Sequence, residues 1–206
     1  LASRSSLWMP LRSGGNLNPS FIVWNRIRLA PDSSRLDLSL MGVVSMDLSE
    51  AWAQLCAANE RWTASDLRPM WEHESPRPGL SESECWDVRR HHPEVPDAYL
   101  EVLRLADGWP SFYQDCVLFG RPELSSRPSM IAEAADQLVT DTPSLADCFL
   151  AAASRSDVDQ FFLETDRGRP GRVFWYAGSL VDTFDDIPSW LAAMAVYLDE
   201  ETQENL

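Results

Sequence analysis

Pro93-Glu94-Val95-Pro96-Asp97-Ala98-Tyr99-Leu100-Glu101-Val102-Leu103-Arg104-Leu105-Ala106-Asp107-Gly108-Trp109 is the stretch that decides the fold, with the apolar run Cys116-Val117-Leu118-Phe119 close behind it. Pro96 sits where a first helical turn tolerates a missing donor. Tyr99, Val102, Leu103 and Ala106 recur at helical spacing, which predicts an amphipathic helix. Asp107-Gly108 stops that helix, because glycine enters the left-handed conformation without a Cβ penalty. Trp109 is therefore expected just past a helix end, at the mouth of a strand formed by Val117–Phe119.

Further helix and strand signals lie outward from this stretch. Leu48, Trp52, Leu55, Cys56 and Trp62 fall on one helical face, with Asp47 or Ser49 as the cap. Ser81 and Glu84 form a capping-box pattern ahead of a helix to about Arg90. Ser129 to Val139 reads as another helix. A last helix starts near Asp186 with Pro188 in its first turn and a stripe of Trp190, Leu191, Met194, Tyr197 and Leu198. Asp199, Glu200, Glu201 and Glu204 oppose the negative end of its dipole, so its tail is expected to fray. Strands are expected at Val117–Phe119, Cys148–Ala151, Phe161–Glu164 and Val173–Ala177. The last two are joined as a hairpin through the Gly- and Pro-bearing residues 166–172. Helices first, then strands, then a closing helix indicate an α+β fold with a mainly antiparallel sheet packed with helices.

Residues 1–45 carry no persistent helical or strand period beyond a brief Phe21-Ile22-Val23-Trp24 patch. They are read as a poorly ordered N-terminal extension, with Met41 or Met46 as a natural start. The domain proper is residues 46–206, and no internal repeat is evident. Hydrophobic residues make up 45% of the 206-residue chain and aromatics 10%, which excludes a disordered protein. All positive charge is arginine. Residues 46–206 hold 12 arginines and 30 carboxylates, a balance of −18. Such a domain repels phosphate backbones and anionic lipid and favours basic partners. Cys56, Cys85, Cys116 and Cys148 are widely spaced. Two disulfides are formally open, but no secretory signal is evident, and four reduced thiols are the better reading. No apolar run approaches the ~20 residues of a membrane helix. The expectation is a cytoplasmic protein.

The proline-led Pro96-x-x-Tyr99-x-x-x-Leu103 helix ending in Asp107-Gly108 resembles the core of the SUKH superfamily. Those are the Smi-one/Knr-four type of cell-wall-assembly regulators and bacterial toxin-immunity proteins. Phe161-Phe162-Leu163, Gly171-Arg172-Val173, Phe184, Trp190 and Leu191 look like the ending of that family. Here Asp185-Asp186-Ile187-Pro188 stands between Phe184 and Ser189-Trp190, so that part of the pattern is stretched. The resemblance covers roughly Leu48 to Leu198. It implies a single SUKH-like domain and a protein that binds other proteins.

The chain carries few residues in patterns that support chemistry. His73, His91 and His92 are the only histidines and lack metal-ligand spacing. There is no nucleophile elbow, P-loop or dinucleotide fingerprint. Asp157 with Asp159, and Asp185 with Asp186, read as a solvated loop and a helix cap rather than acid–base pairs. Arg167, Arg169 and Arg172 read as a hairpin tip. In Trp109-Pro110-Ser111-Phe112-Tyr113, Trp109 is expected inside, with Phe112 or Tyr113 outside as interface anchors.

No catalytic residue, cofactor or metal is expected, and no nucleic-acid or membrane partner. The resemblance implies an immunity protein that neutralises a cognate polymorphic toxin, a basic nuclease being one such target. The alternative is a regulatory or scaffold module of the cell-wall-assembly-regulator type. The candidate partner-binding residues are Phe112, Tyr113, Asp115, Glu123, Asp157 and Asp159. The oligomeric state stays open.

Overall fold

The computed structural model describes residues 46–65, 71–126, 129–156, 158–165 and 171–204. The expected N-terminal extension, Asp157, Arg167 and Arg169 lie outside these residues. From Met46 the described residues belong to one compact unit.

The fold is α+β. Six strands form one antiparallel sheet in the order β1-β2-β3-β4-β5-β6, a meander in which every strand pairs with its neighbour in sequence. They are β1 Trp109–Tyr113, β2 Cys116–Leu118, β3 Cys148–Ser154, β4 Asp159–Glu164, β5 Val173–Ala177 and β6 Leu180–Phe184. The helices are α1 Leu48–Ser65, α2 Glu82–His91, α3 Asp97–Leu105, α4 Arg121–Ser125, α5 Ser129–Asp141 and α6 Ile187–Glu204.

Local chemistry sets most helix boundaries as expected. The Glu50 N–H donates to Asp47 Oδ1 at 2.8 Å, which starts α1. Ser81 and Glu84 form the reciprocal capping box of α2. The Ser189 N–H donates to Asp186 Oδ1 at 2.7 Å and opens α6. The α3 helix ends two residues earlier than Asp107-Gly108 predicts. Ala106 turns extended, at φ −154° and ψ 136°, and bridges to Pro78 of the preceding loop. Gly108 does adopt a positive φ, +80°, but beyond the helix, where the chain crosses Gly120. The α6 helix holds through Glu204. Arg61 pairs with Asp199 at 2.8 Å and Glu201 accepts from the Tyr113 hydroxyl at 3.1 Å, so both ties oppose the expected fraying.

The two sheet faces carry separate apolar clusters. On the inner face, Phe161 packs against Trp175 and Trp190 at ring-centroid distances of 5.4 and 5.3 Å. Truncating such a ring costs about 3–5 kcal/mol. That face is covered by α1, α3 and α6, whose buried residues include Leu55, Leu103 and Trp190. The outer face holds Val117, Leu150, Ala153 and Phe162, covered by Ile131 and Ala135 of α5. A register shift in β3 between Leu150 and Ala152 sets Ala151 apart. Its carbonyl accepts from the Phe119 N–H at 3.0 Å and lies 2.8 Å from the Tyr99 hydroxyl. That hydroxyl also sits 2.7 Å from the Phe119 carbonyl, so one α3 side chain ties β3 to the residue that follows β2.

Candidate functional site

The structure moves most of the expected contact residues inside. Phe112 is fully buried, because its ring enters the inner-face cluster 5.6 Å from Trp190 and 5.8 Å from Phe161. Tyr113 is buried edge-on against Trp175 at 5.9 Å. Neither ring is an exposed anchor. Asp159 is 1% exposed and accepts from the Trp175 indole N–H at 2.7 Å. Asp115 is buried in the β1–β2 turn, where its Oδ2 accepts from the Ser156 N–H at 3.1 Å. These two carboxylates hold the hairpin-tip end together instead of facing solvent. Asp157 lies outside the described residues. Of the six, Glu123 alone lines an open cleft among the described residues.

That cleft, of about 350 Å³, is bounded by Glu74, Arg77, Glu123 and Arg155, with Pro110, Val117 and Ile131 as its apolar wall. Arg77 and Glu123 form a two-pronged pair, with Nη1–Oε2 at 3.0 Å and Nη2–Oε1 at 2.5 Å. The paired carboxylate holds the Arg77 guanidinium above its ordinary range. Arg155 meets Glu74 at 2.9 Å. The loop carrying Glu74 straps the free edge of β1: the Trp109 indole donates to the Glu74 carbonyl at 2.6 Å, and the Glu74 N–H donates to the Ser111 hydroxyl at 2.7 Å.

Behind the cleft, two chain segments cross at van der Waals limits. A Cβ on Gly120 would lie 2.1 Å from the Asp107 carbonyl oxygen, and one on Gly108 would lie 2.6 Å from the Gly120 nitrogen. Charge locks the crossing. Asp107 accepts from the Arg121 N–H at 2.7 Å and from its Nε at 2.9 Å, while Arg77 Nη1 donates to the Asp107 carbonyl at 2.8 Å. The Gly120 N–H donates to Glu123 Oε2 at 2.9 Å. Arg121 reaches on to Glu84 at 3.0 Å. The Ser81 hydroxyl and N–H, with Arg121 beyond them, hold the Glu84 carboxyl below its usual range. The Asp107-Gly108 signal was legible in the sequence. Its partners Arg77, Gly120 and Arg121 were not, because they arrive from segments with no motif of their own.

The remaining groups are accounted for structurally. All four cysteines are free thiols, and burial pushes the Cys56, Cys85 and Cys148 thiols up, away from the reactive thiolate. His73 packs edge-on against Trp62 at 4.4 Å. Asp186 caps α6, as expected. Arg172 pairs with Glu164 at 2.8 Å. Among the described residues no group of three His, Cys, Asp or Glu is placed to hold a metal, and no helix is long and apolar enough to cross a membrane.

The eight described arginines, residues 61, 77, 89, 90, 104, 121, 155 and 172, each stand in an ion pair with a carboxylate of this chain. The positive charge of the described residues is thus paired internally, and with 30 carboxylates to 12 arginines over residues 46–206 the excess charge is negative. No family model, curated protein or solved structure matches the chain.

Proposed function

We propose that this is a non-catalytic, cytoplasmic protein-binding domain of the SUKH type, an immunity protein that captures and neutralises a basic toxin domain. The observation that carries the reading is electrostatic. Every described arginine is already paired within the chain, against a balance of −18 over residues 46–206. A partner rich in lysine and arginine, as phosphate-handling domains are, meets a net excess of negative charge. That raises the encounter rate and suppresses wrong partners. The Asp107–Gly108 crossing and its ion pairs serve as scaffold in this reading.

The test is association with the C-terminal domain of a secreted protein encoded beside the gene, measured at two salt concentrations, together with protection of cells that express that domain. Expected are tight binding, an on-rate that falls steeply with salt, and protection. Absence of binding and protection rejects the immunity reading and favours the regulatory-module alternative.

A further inference from the structure

Among the described residues, the outer face of the sheet is only half covered. Cross-strand register lines up Ala153, Gln160, Tyr176 and Leu180 in one row on that face, and Leu150, Phe162, Phe174 and Thr183 in the next. Both rows grade from buried beneath α5 to open at β6. Ala153 is fully buried and Gln160 is 4% exposed, whereas Leu180 is 52% exposed. Val158, one residue before β4, is 44% exposed. Extending the β4–β5 register places it opposite Gly178, beside the same hairpin tip as Leu180. The result is an apolar strip of Val158, Tyr176 and Leu180, joined by Val181, the extra residue where the β5–β6 register shifts. At the other end, the Arg172 guanidinium lies 5.2 Å over the Phe174 ring, so the open part of the strip is at the hairpin-tip end.

What borders the strip selects its occupant. The α5 helix carries Glu133, Asp136 and Asp141 on exposed positions and no basic residue at all. On the β6 side, Asp185 is exposed just past the strand, whereas Asp182 stands opposite Trp175 on the inner face and accepts from the Tyr197 hydroxyl at 3.1 Å. An apolar centre with an acidic rim complements a protein surface with an apolar centre and a basic rim. A second copy of this chain would bring the same acids against each other. The irregularity at Val181 also breaks the ladder that strand addition across β6 would need.

We propose that the open outer face of β5–β6, with Val158 just before β4, forms a surface centred on Val158, Tyr176 and Leu180 that docks a basic protein partner. This rests on the protein-binding reading above and names its contact face, which differs from both the expected residues around Phe112 and the cleft at Glu123.

The experiment uses the full chain and, as probe, the inactivated C-terminal domain of the secreted protein encoded beside the gene. Leu180→Asp and Val158→Asp are compared with Val196→Asp. Val196 is 56% exposed on α6, which packs on the opposite face, so it matches the chemistry and exposure but not the place. Leu180→Asp is expected to weaken binding at least 100-fold, through faster dissociation, and Val158→Asp at least tenfold. Val196→Asp should stay within threefold of wild type. Added negative charge favours a basic partner on electrostatic grounds alone, so a loss at Leu180 reports apolar contact. Hydrogen exchange on the wild-type complex gives a readout that needs no variant, with protection expected in residues 174–182. Wild-type binding with unaffected strip variants, or with protection elsewhere, overturns this surface and leaves the proposed function standing. Failure of the wild type to bind rejects the function, and the surface falls with it.

Discussion

Replacing Gly120 by alanine isolates what the segment crossing contributes. Gly120 has φ −117°, a backbone that any residue adopts, so the whole cost is steric. The new Cβ would lie 2.1 Å from the Asp107 carbonyl oxygen, 2.3 Å from its carbon and 2.7 Å from the Gly108 nitrogen. Those are backbone atoms, with no flexible end to yield. Relief requires the two segments to part by about 1 Å, and overpacking of this kind costs about 1–3 kcal/mol. Parting also stretches the Arg121-to-Asp107 and Arg77-to-Asp107 bonds, and each charge-assisted bond is worth about 1.5–3 kcal/mol when lost. With partial loss of these, Gly120→Ala should destabilise by about 3–5 kcal/mol, and the thermal midpoint should fall by roughly 2–4 °C per kcal/mol. Gly178 is the control. It has φ +73°, and nothing lies within 4 Å of the point an alanine Cβ would occupy, so alanine there bears only backbone strain, about 1–2 kcal/mol. Gly108→Ala combines both terms, and Gly108→Val adds β-branching. Urea unfolding followed by tryptophan fluorescence, with the slope checked for constancy, should rank Gly178→Ala mildest. A Gly120→Ala cost below about 1 kcal/mol, or equal to that of Gly178→Ala, refutes the argument that the crossing is rigid.

Two further substitutions report on titrating groups. Burial pushes the Tyr99 hydroxyl well above its ordinary value of 10.0. Its stabilisation is complete below that pH and declines above it, by about 1.4 kcal/mol per pH unit, because only the unfolded chain releases the proton. Tyr99→Phe should lose about 1 kcal/mol at neutral pH but show a shallower alkaline decline in urea midpoints between pH 9 and 11; parallel curves would contradict this. The Glu84 carboxyl is held below its ordinary value of 4.5, chiefly by Ser81. Its contribution is therefore present above that value and lost as pH falls through the depressed one. Glu84→Gln should flatten the acid limb of stability against pH, and an unchanged limb would show that the capping box does not couple to protonation.

Helix signals were legible where caps and periodicity agree. Asp47, the Ser81–Glu84 box and Asp186 each start the helix they announce. The β1 strand was missed because Pro110 argues against a strand and because its five residues are all buried, which removes the alternation that marks a half-exposed strand. The β6 strand was missed because the irregularity at Val181 breaks its period. Contact residues were misread for a related reason. Asp159 looked like a solvated loop acid, yet its partner is the Trp175 indole, 16 residues on. Phe112 stood beside a turn in sequence but points at Trp190, which arrives from the other end of the domain. Burial of this kind depends on which distant element lands opposite, and no local pattern encodes it.

The pairing of α1 with α6 is the most extensive helix contact in the fold, and it has a kinetic consequence. The sheet can be laid down strand by strand as the chain emerges, since each strand needs only its predecessor. The α1 helix, by contrast, must wait for about 120 residues of synthesis between Ser65 and Ile187. At about 5–20 residues per second, that is roughly 6–24 s in which Ala51, Leu55, Ala58 and Trp62 lack their final cover. The last helix made therefore closes the first, and the acquisition of full cooperativity is deferred to the end of translation of this domain.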